Sequence, residues 1–121
     1  MAKKKILVVD DAEFNRDLIV QLLGDEYEVL EAVDGGEGVR RAEQEKPDLI
    51  LMDLGMPVMD GWEATRKIKA NSELRHIPII AVTSHAMVGD EIQACEAGCD
   101  DYVPKPIDEN ELIRKIKKFL S

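Results

Sequence analysis

Two adjacent carboxylates, Asp10 and Asp11, close the apolar run Ile6-Leu7-Val8-Val9, and a third, Asp53, closes Leu49-Ile50-Leu51-Met52. The hydroxyls of Thr83 and Ser84 close the run Ile79-Ile80-Ala81-Val82, and the amine of Lys105 stands beside Pro106 just after Tyr102-Val103. Carboxylates held close together repel one another unless a cation neutralises them. An all-oxygen ligand set selects a hard ion, and Mg2+ combines few carboxylates with retained waters and phosphate oxygens. An aspartate can itself be a nucleophile and form an aspartyl phosphate. A lysine then offers a mobile point charge to a phosphoryl oxygen, and a threonine offers a hydroxyl donor. Charge on a transferring phosphoryl group is stabilised in this way with little other covalent work. Each residue also has a blander reading: an Asp pair as a helix cap, Thr-Ser as a turn, the lysine as a surface charge. Their joint placement at the ends of four apolar runs is what points to one site.

The elements that must carry these residues are readable from periodicity. Strands are expected at Lys4–Val9, Glu28–Val33, Asp48–Met52, Pro78–Thr83 and Asp101–Val103. The first, third and fourth are nearly continuous in Ile, Leu and Val, which suits parallel strands buried on both faces. Helices are expected between them, marked by Phe14, Leu18 and Leu22 with Ile19 and Leu23; by Val39 and Ala42; by Trp62, Thr65 and Ile68; by Val88, Ile92 and Cys95; and by Leu112, Ile113, Ile116 and Leu120. Asp60 with Glu63, and Asp108 with Glu111, have the spacing of helix N-caps. Gly24, Gly35-Gly36 and Gly98 fall at boundaries, and Pro47, Pro57, Pro78 and Pro106 in connections. Alternating strands and helices with short connections imply right-handed crossovers and one parallel sheet, a (βα)5 α/β unit covering 1–121. In such open sheets ligands bind beyond the carboxyl ends of the strands, where the acids, hydroxyls and amine all fall.

Composition narrows the class. The chain has 121 residues, enough for one domain with one core. Its 25 acidic against 16 basic residues give a net charge of -9, unfavourable for a nucleic-acid backbone and suited to protein or cation partners. No apolar run approaches a membrane span, and the N-terminal lysines precede too short an apolar run for a signal peptide, so a cytoplasmic protein is expected. Cys95 and Cys99 lack the spacing and neighbours of a zinc set and read as small buried residues.

The order Asp10-Asp11, Asp53-Leu54-Gly55-Met56-Pro57 with Asp60-Gly61, Thr83-Ser84 and Lys105-Pro106 resembles the response regulator receiver domain of two-component signalling, over essentially the whole chain. The resemblance implies a doubly wound, flavodoxin-like sheet of strand order 2-1-3-4-5. It implies that Asp53 accepts a phosphoryl group from a phosphohistidine on a histidine kinase or histidine phosphotransfer protein. Asp10, Asp11 and Asp53 with the Gly55 carbonyl would hold Mg2+, and Lys105 and Thr83 would bind the phosphoryl oxygens. Lys105-Pro106 would be cis, and Tyr102 would turn inward as a switch. Ser84 stands where the family often has a small Ala, and Gly55 and His85 occupy positions that tune phosphoryl lifetime. The output surface would run along the fourth helix, fifth strand and fifth helix, with no effector domain after it. A phosphate sink or phosphorelay intermediate is the alternative. A haloacid-dehalogenase-like phosphohydrolase would need its nucleophile as DxD after the first strand, and a flavodoxin-like cofactor binder a Gly/Ser/Thr loop where Asp10-Asp11 stand.

Overall fold

The computed structural model describes residues 3–53, 61–83 and 98–120. Its strands are β1 (Lys5–Val9), β2 (Glu28–Ala32), β3 (Leu49–Asp53), β4 (Ile79–Thr83) and β5 (Asp101–Pro104). The helices among the described residues are α1 (Glu13–Leu23), α2 (Gly35–Glu45), α3 (Gly61–Ala70) and α4 (Glu109–Leu120). The element expected around Val88, Ile92 and Cys95 lies outside the described residues, so α4 is the helix expected fifth from the sequence. All strands are parallel, in the order β2-β1-β3-β4-β5. The doubly wound order is therefore the one the resemblance implies.

The continuous apolar strands are buried on both faces because each face carries its own core. Leu7 and Val9 of β1, Ile50 and Met52 of β3, and Ile79 and Ala81 of β4 pack with Ala42 of α2 and Ala64 and Ile68 of α3. The alternate residues, Ile6, Val8, Leu49, Leu51, Ile80 and Val82, pack with Ile19 and Leu23 of α1 and Leu112 and Ile116 of α4. A period of two along each strand thus feeds two helical layers. β1 and β3 sit at the centre, and their apolar side chains from Ile6 to Val9 and from Leu49 to Met52 are all buried.

Local chemistry sets the ends. Asp34 caps α2 by accepting the N–H of Glu37 at 2.8 Å, and Asp108 accepts the N–H of Glu111 at 3.0 Å before α4. The sequence pattern anticipates the second cap and misses the first. The Asp60 cap lies outside the described residues. Gly24 ends α1 with φ of 58°, a left-handed value that glycine adopts without a Cβ penalty. Pro104 sits in β5, an edge strand, where a missing N–H is tolerated.

Two expectations need correction. Phe14 and Leu18 do not share the buried stripe of α1: Phe14 is 77% exposed and Leu18 37%. The helix turns Ile19 and Leu23 inward, with Leu22 partly buried, because those positions meet the sheet. Asp53 does not follow β3 but ends it, paired with Val82 of β4.

Candidate functional site

β1 and β3 are neighbours, so their carboxyl ends bring Asp10 and Asp53 together at one sheet edge. Asp11 lies one residue beyond Asp10, at the start of the turn into α1. One carboxylate oxygen from each of Asp10, Asp11 and Asp53 lies within 4.8 Å of the others. Their environments differ: Asp10 and Asp53 are buried and Asp11 is exposed. The chain leaving β5 delivers Lys105 to the same edge. Its Nζ lies 3.6 Å from Asp10 Oδ2 and 3.5 Å from Asp53 Oδ1. Lys105 is mostly buried, and the peptide joining it to Pro106 is cis.

Asp10 is held from several directions. Its N–H donates to Ala32 O at 3.1 Å, extending the β1–β2 ladder. Its Oδ1 accepts the N–H of Ala12 at 2.9 Å, an Asx turn that opens α1. Its carbonyl accepts from Arg16 Nη1 at 2.8 Å. Arg16 is a site residue that the sequence pattern does not reveal. Nothing local marks it, because its other partner, Glu31, stands 15 positions away on β2.

Thr83 closes β4 beside Asp53's ladder partner Val82, which puts its backbone at the same edge. The Thr83 hydroxyl, Gly55, Ser84 and His85 lie outside the described part of the structure. Tyr102 in β5 is partly buried against the core that α2 and α3 cover. Lys115 of α4 donates to the Tyr102 carbonyl, bonds Asp101 Oδ1 at 3.1 Å, and places its Nζ 5.1 Å from the Tyr102 ring centroid. The candidate switch residue is thus tied to α4 through its backbone and its ring face. Cys99 is a buried thiol near Thr65, consistent with a packing role.

Chemically, the three carboxylates offer oxygen donors alone, with two of the acids buried and the third open to solvent. That set fits a hard divalent cation that keeps some of its waters. The described residues contain no helix long and apolar enough to cross a membrane.

The sequence matches the response regulator receiver domain family over residues 6–117. It is 42% identical to the polar-differentiation response regulator DivK of Brucella anthropi over 118 residues, covering 97% of this chain and 96% of that protein. Among solved structures, the receiver domain of a sensor histidine kinase from Pseudomonas aeruginosa is 40% identical, with a TM-score of 0.90 and 98% of each chain covered. That structure carries a magnesium ion coordinated in its active site cleft. The chemotaxis protein CheY4 of Vibrio cholerae superposes with a TM-score of 0.91 at 28% identity, covering 98% of this chain and 99% of its own.

Proposed function

The chain belongs to the response regulator receiver domain family, and from that premise we propose that it is a phosphorylation switch with Asp53 as phosphoacceptor. Receiver domains are signalling proteins that interact with histidine kinases or phosphotransfer proteins. The observation that carries the reading is the sheet edge itself: buried Asp53 beside buried Asp10 and exposed Asp11, with Lys105 between the two buried acids.

In the proposed reaction a carboxylate oxygen of Asp53 attacks the phosphorus of a phosphohistidine on the donor protein. The P–N bond breaks, and the imidazole leaves with the bonding pair and takes a proton. Asp53 keeps the phosphoryl group as an acyl phosphate. Asp10, Asp11 and Asp53, with the carbonyl of Gly55, would hold Mg2+, which supplies positive charge to the phosphoryl oxygens during transfer. The oxygen-only donor set and the magnesium ion in the Pseudomonas relative support this choice. Lys105 Nζ binds a phosphoryl oxygen once the carboxylate it now faces has become an acyl phosphate, and the Thr83 hydroxyl binds another. Those contacts form better in the active conformation than in the inactive one, so phosphorylation shifts an existing equilibrium toward the active conformation, and Tyr102 turns inward with it. The altered surface runs along the fourth helix of the expected fold, β5 and α4, and the signal leaves by protein contact.

The direct test is phosphorylation by a small-molecule phosphodonor with Mg2+, followed by intact mass. The wild-type chain should gain one phosphoryl group, and Asp53→Asn should gain none. An Asp53→Asn protein that is phosphorylated like wild type would sink the assignment.

A further inference from the structure

Asp10 is fixed at its N–H by Ala32, at its Oδ1 by Ala12, and at its carbonyl by Arg16. The first two are backbone devices that any acid at a strand-to-helix turn can use. The third requires a side chain on α1, six residues on, to reach back over the turn. That side chain is itself anchored, with Nε on Glu31 Oε1 at 3.1 Å and only 13% of its surface exposed. The carbonyl it grips belongs to the peptide that joins Asp10 to Asp11. Holding that peptide plane fixes the direction in which the Asp11 side chain departs relative to Asp10.

We propose that Arg16 is a positioning residue for the cation site: its guanidinium, braced on Glu31, locks the Asp10–Asp11 peptide so that both carboxylates face Asp53 before an ion arrives. The inference rests on reading the three acids as the Mg2+ site. Charge and geometry here have opposite signs. A guanidinium near three carboxylates repels an incoming cation, so if Arg16 acted through its charge, removing that charge would tighten Mg2+ binding. If it acts by pre-ordering the ligands, losing its planar fork weakens binding even when the charge stays.

Arg16→Lys separates the two, because it keeps the charge and discards the fork. Calorimetric titration with Mg2+ should show a Kd at least threefold higher than wild type. Glu31→Ala leaves Arg16 intact but unbraced, and should raise the Kd by a smaller factor. In the metal-free protein, hydrogen exchange at the Ala12 amide should quicken in both variants, since its acceptor is the Asp10 carboxylate. With a small phosphodonor, the Mg2+ concentration for half-maximal phosphorylation should rise in Arg16→Lys while the rate at saturating Mg2+ stays near wild type. An unchanged or lower Kd in Arg16→Lys, with thermal melting showing it folded, overturns the role of Arg16. If Arg16→Lys does not fold, the test passes to Glu31→Ala, where an unchanged or lower Kd overturns the role equally. If wild type itself binds no Mg2+, or binds it equally well in Asp53→Asn and Asp11→Ala, the cation-site reading falls and the inference with it.

Discussion

At the scale of single residues, Lys105 is placed to do two things that conflict. Its ammonium sits 3.6 Å from Asp10 and 3.5 Å from Asp53, so it partly neutralises two of the three acids that a divalent ion would use. An arriving ion must share those oxygens with it. Lys105→Ala should therefore tighten Mg2+ binding, by about 1 kcal/mol or roughly fivefold in Kd, the size expected of a largely shielded ion pair. Calorimetry decides it, and a weaker affinity in the variant would show that the lysine aids the ion instead. The same substitution should leave Asp53 open to phosphorylation yet uncouple phosphorylation from partner binding, because no ammonium then distinguishes the acyl phosphate from the free carboxylate. Partner affinity measured with and without phosphorylation would be equal in Lys105→Ala and different in wild type. Asp11→Ala should act in the opposite direction on the ion, raising the Kd about tenfold or more by removing the solvent-facing ligand. The acids and the lysine were legible in the sequence because each ends an apolar run. Arg16 was not, because its meaning depends on Glu31, a partner that only the β1–β2 pairing brings near.

At the scale of elements, the site depends on how closely α2 approaches β1. Gly38 in α2 faces Val9, the residue before Asp10, and a Cβ there would lie 2.9 Å from Val9 Cγ2. Alanine gains up to about 1 kcal/mol of helix propensity over glycine, but overpacking a closed core costs about 1–3 kcal/mol. Gly38→Ala should therefore be net destabilising, by up to about 2 kcal/mol in denaturant unfolding, and should raise the Kd for Mg2+ by pushing the end of β1. A stabilised Gly38→Ala protein would show that α2 can step back at little cost. Element types were readable because the central strands are short, continuous runs of Ile, Leu and Val bounded by turn residues, while the segments between them repeat at the helical period. The face of α1 was not readable. Phe14, Leu18 and Leu22 make as regular a stripe as Leu23, Ile19 and their neighbours, and only the position of the sheet chooses between them. The surplus apolar surface stays open: Phe14 and Leu18 stand exposed on the helix that begins just after Asp11. Under the proposed function, a donor protein that brings a phosphohistidine to Asp53 would find this exposed apolar surface beside the site. Phe14→Ser should slow phosphotransfer from a protein donor several-fold and leave the rate with a small phosphodonor unchanged. Equal slowing with both donors would assign Phe14 to the fold rather than to docking.

At the scale of the whole molecule, gathering three acids at one sheet edge should carry a cost in folding. Three carboxylates gathered at one end of a chain of net charge -9 repel one another, and Lys105 lies within 3.6 Å of two of them as a counter-charge. The unfolded chain does not assemble the three acids, so an ion that binds them stabilises the native state by mass action. At about ten times its Kd, Mg2+ should add about 1.4 kcal/mol. For a domain of this size that corresponds to a rise in Tm of about 4–6 °C. The counterpart is that neutralising one acid relieves the repulsion without any ion. Asp53→Asn should melt higher than wild type in the presence of a chelator, and its Tm should respond far less to added Mg2+. Differential scanning calorimetry across a Mg2+ series tests both halves together. Parallel rises in Tm for wild type and Asp53→Asn would place the ion elsewhere on this acidic surface. A lower Tm for Asp53→Asn in chelator would mean that the ion pair with Lys105 outweighs the repulsion among the acids.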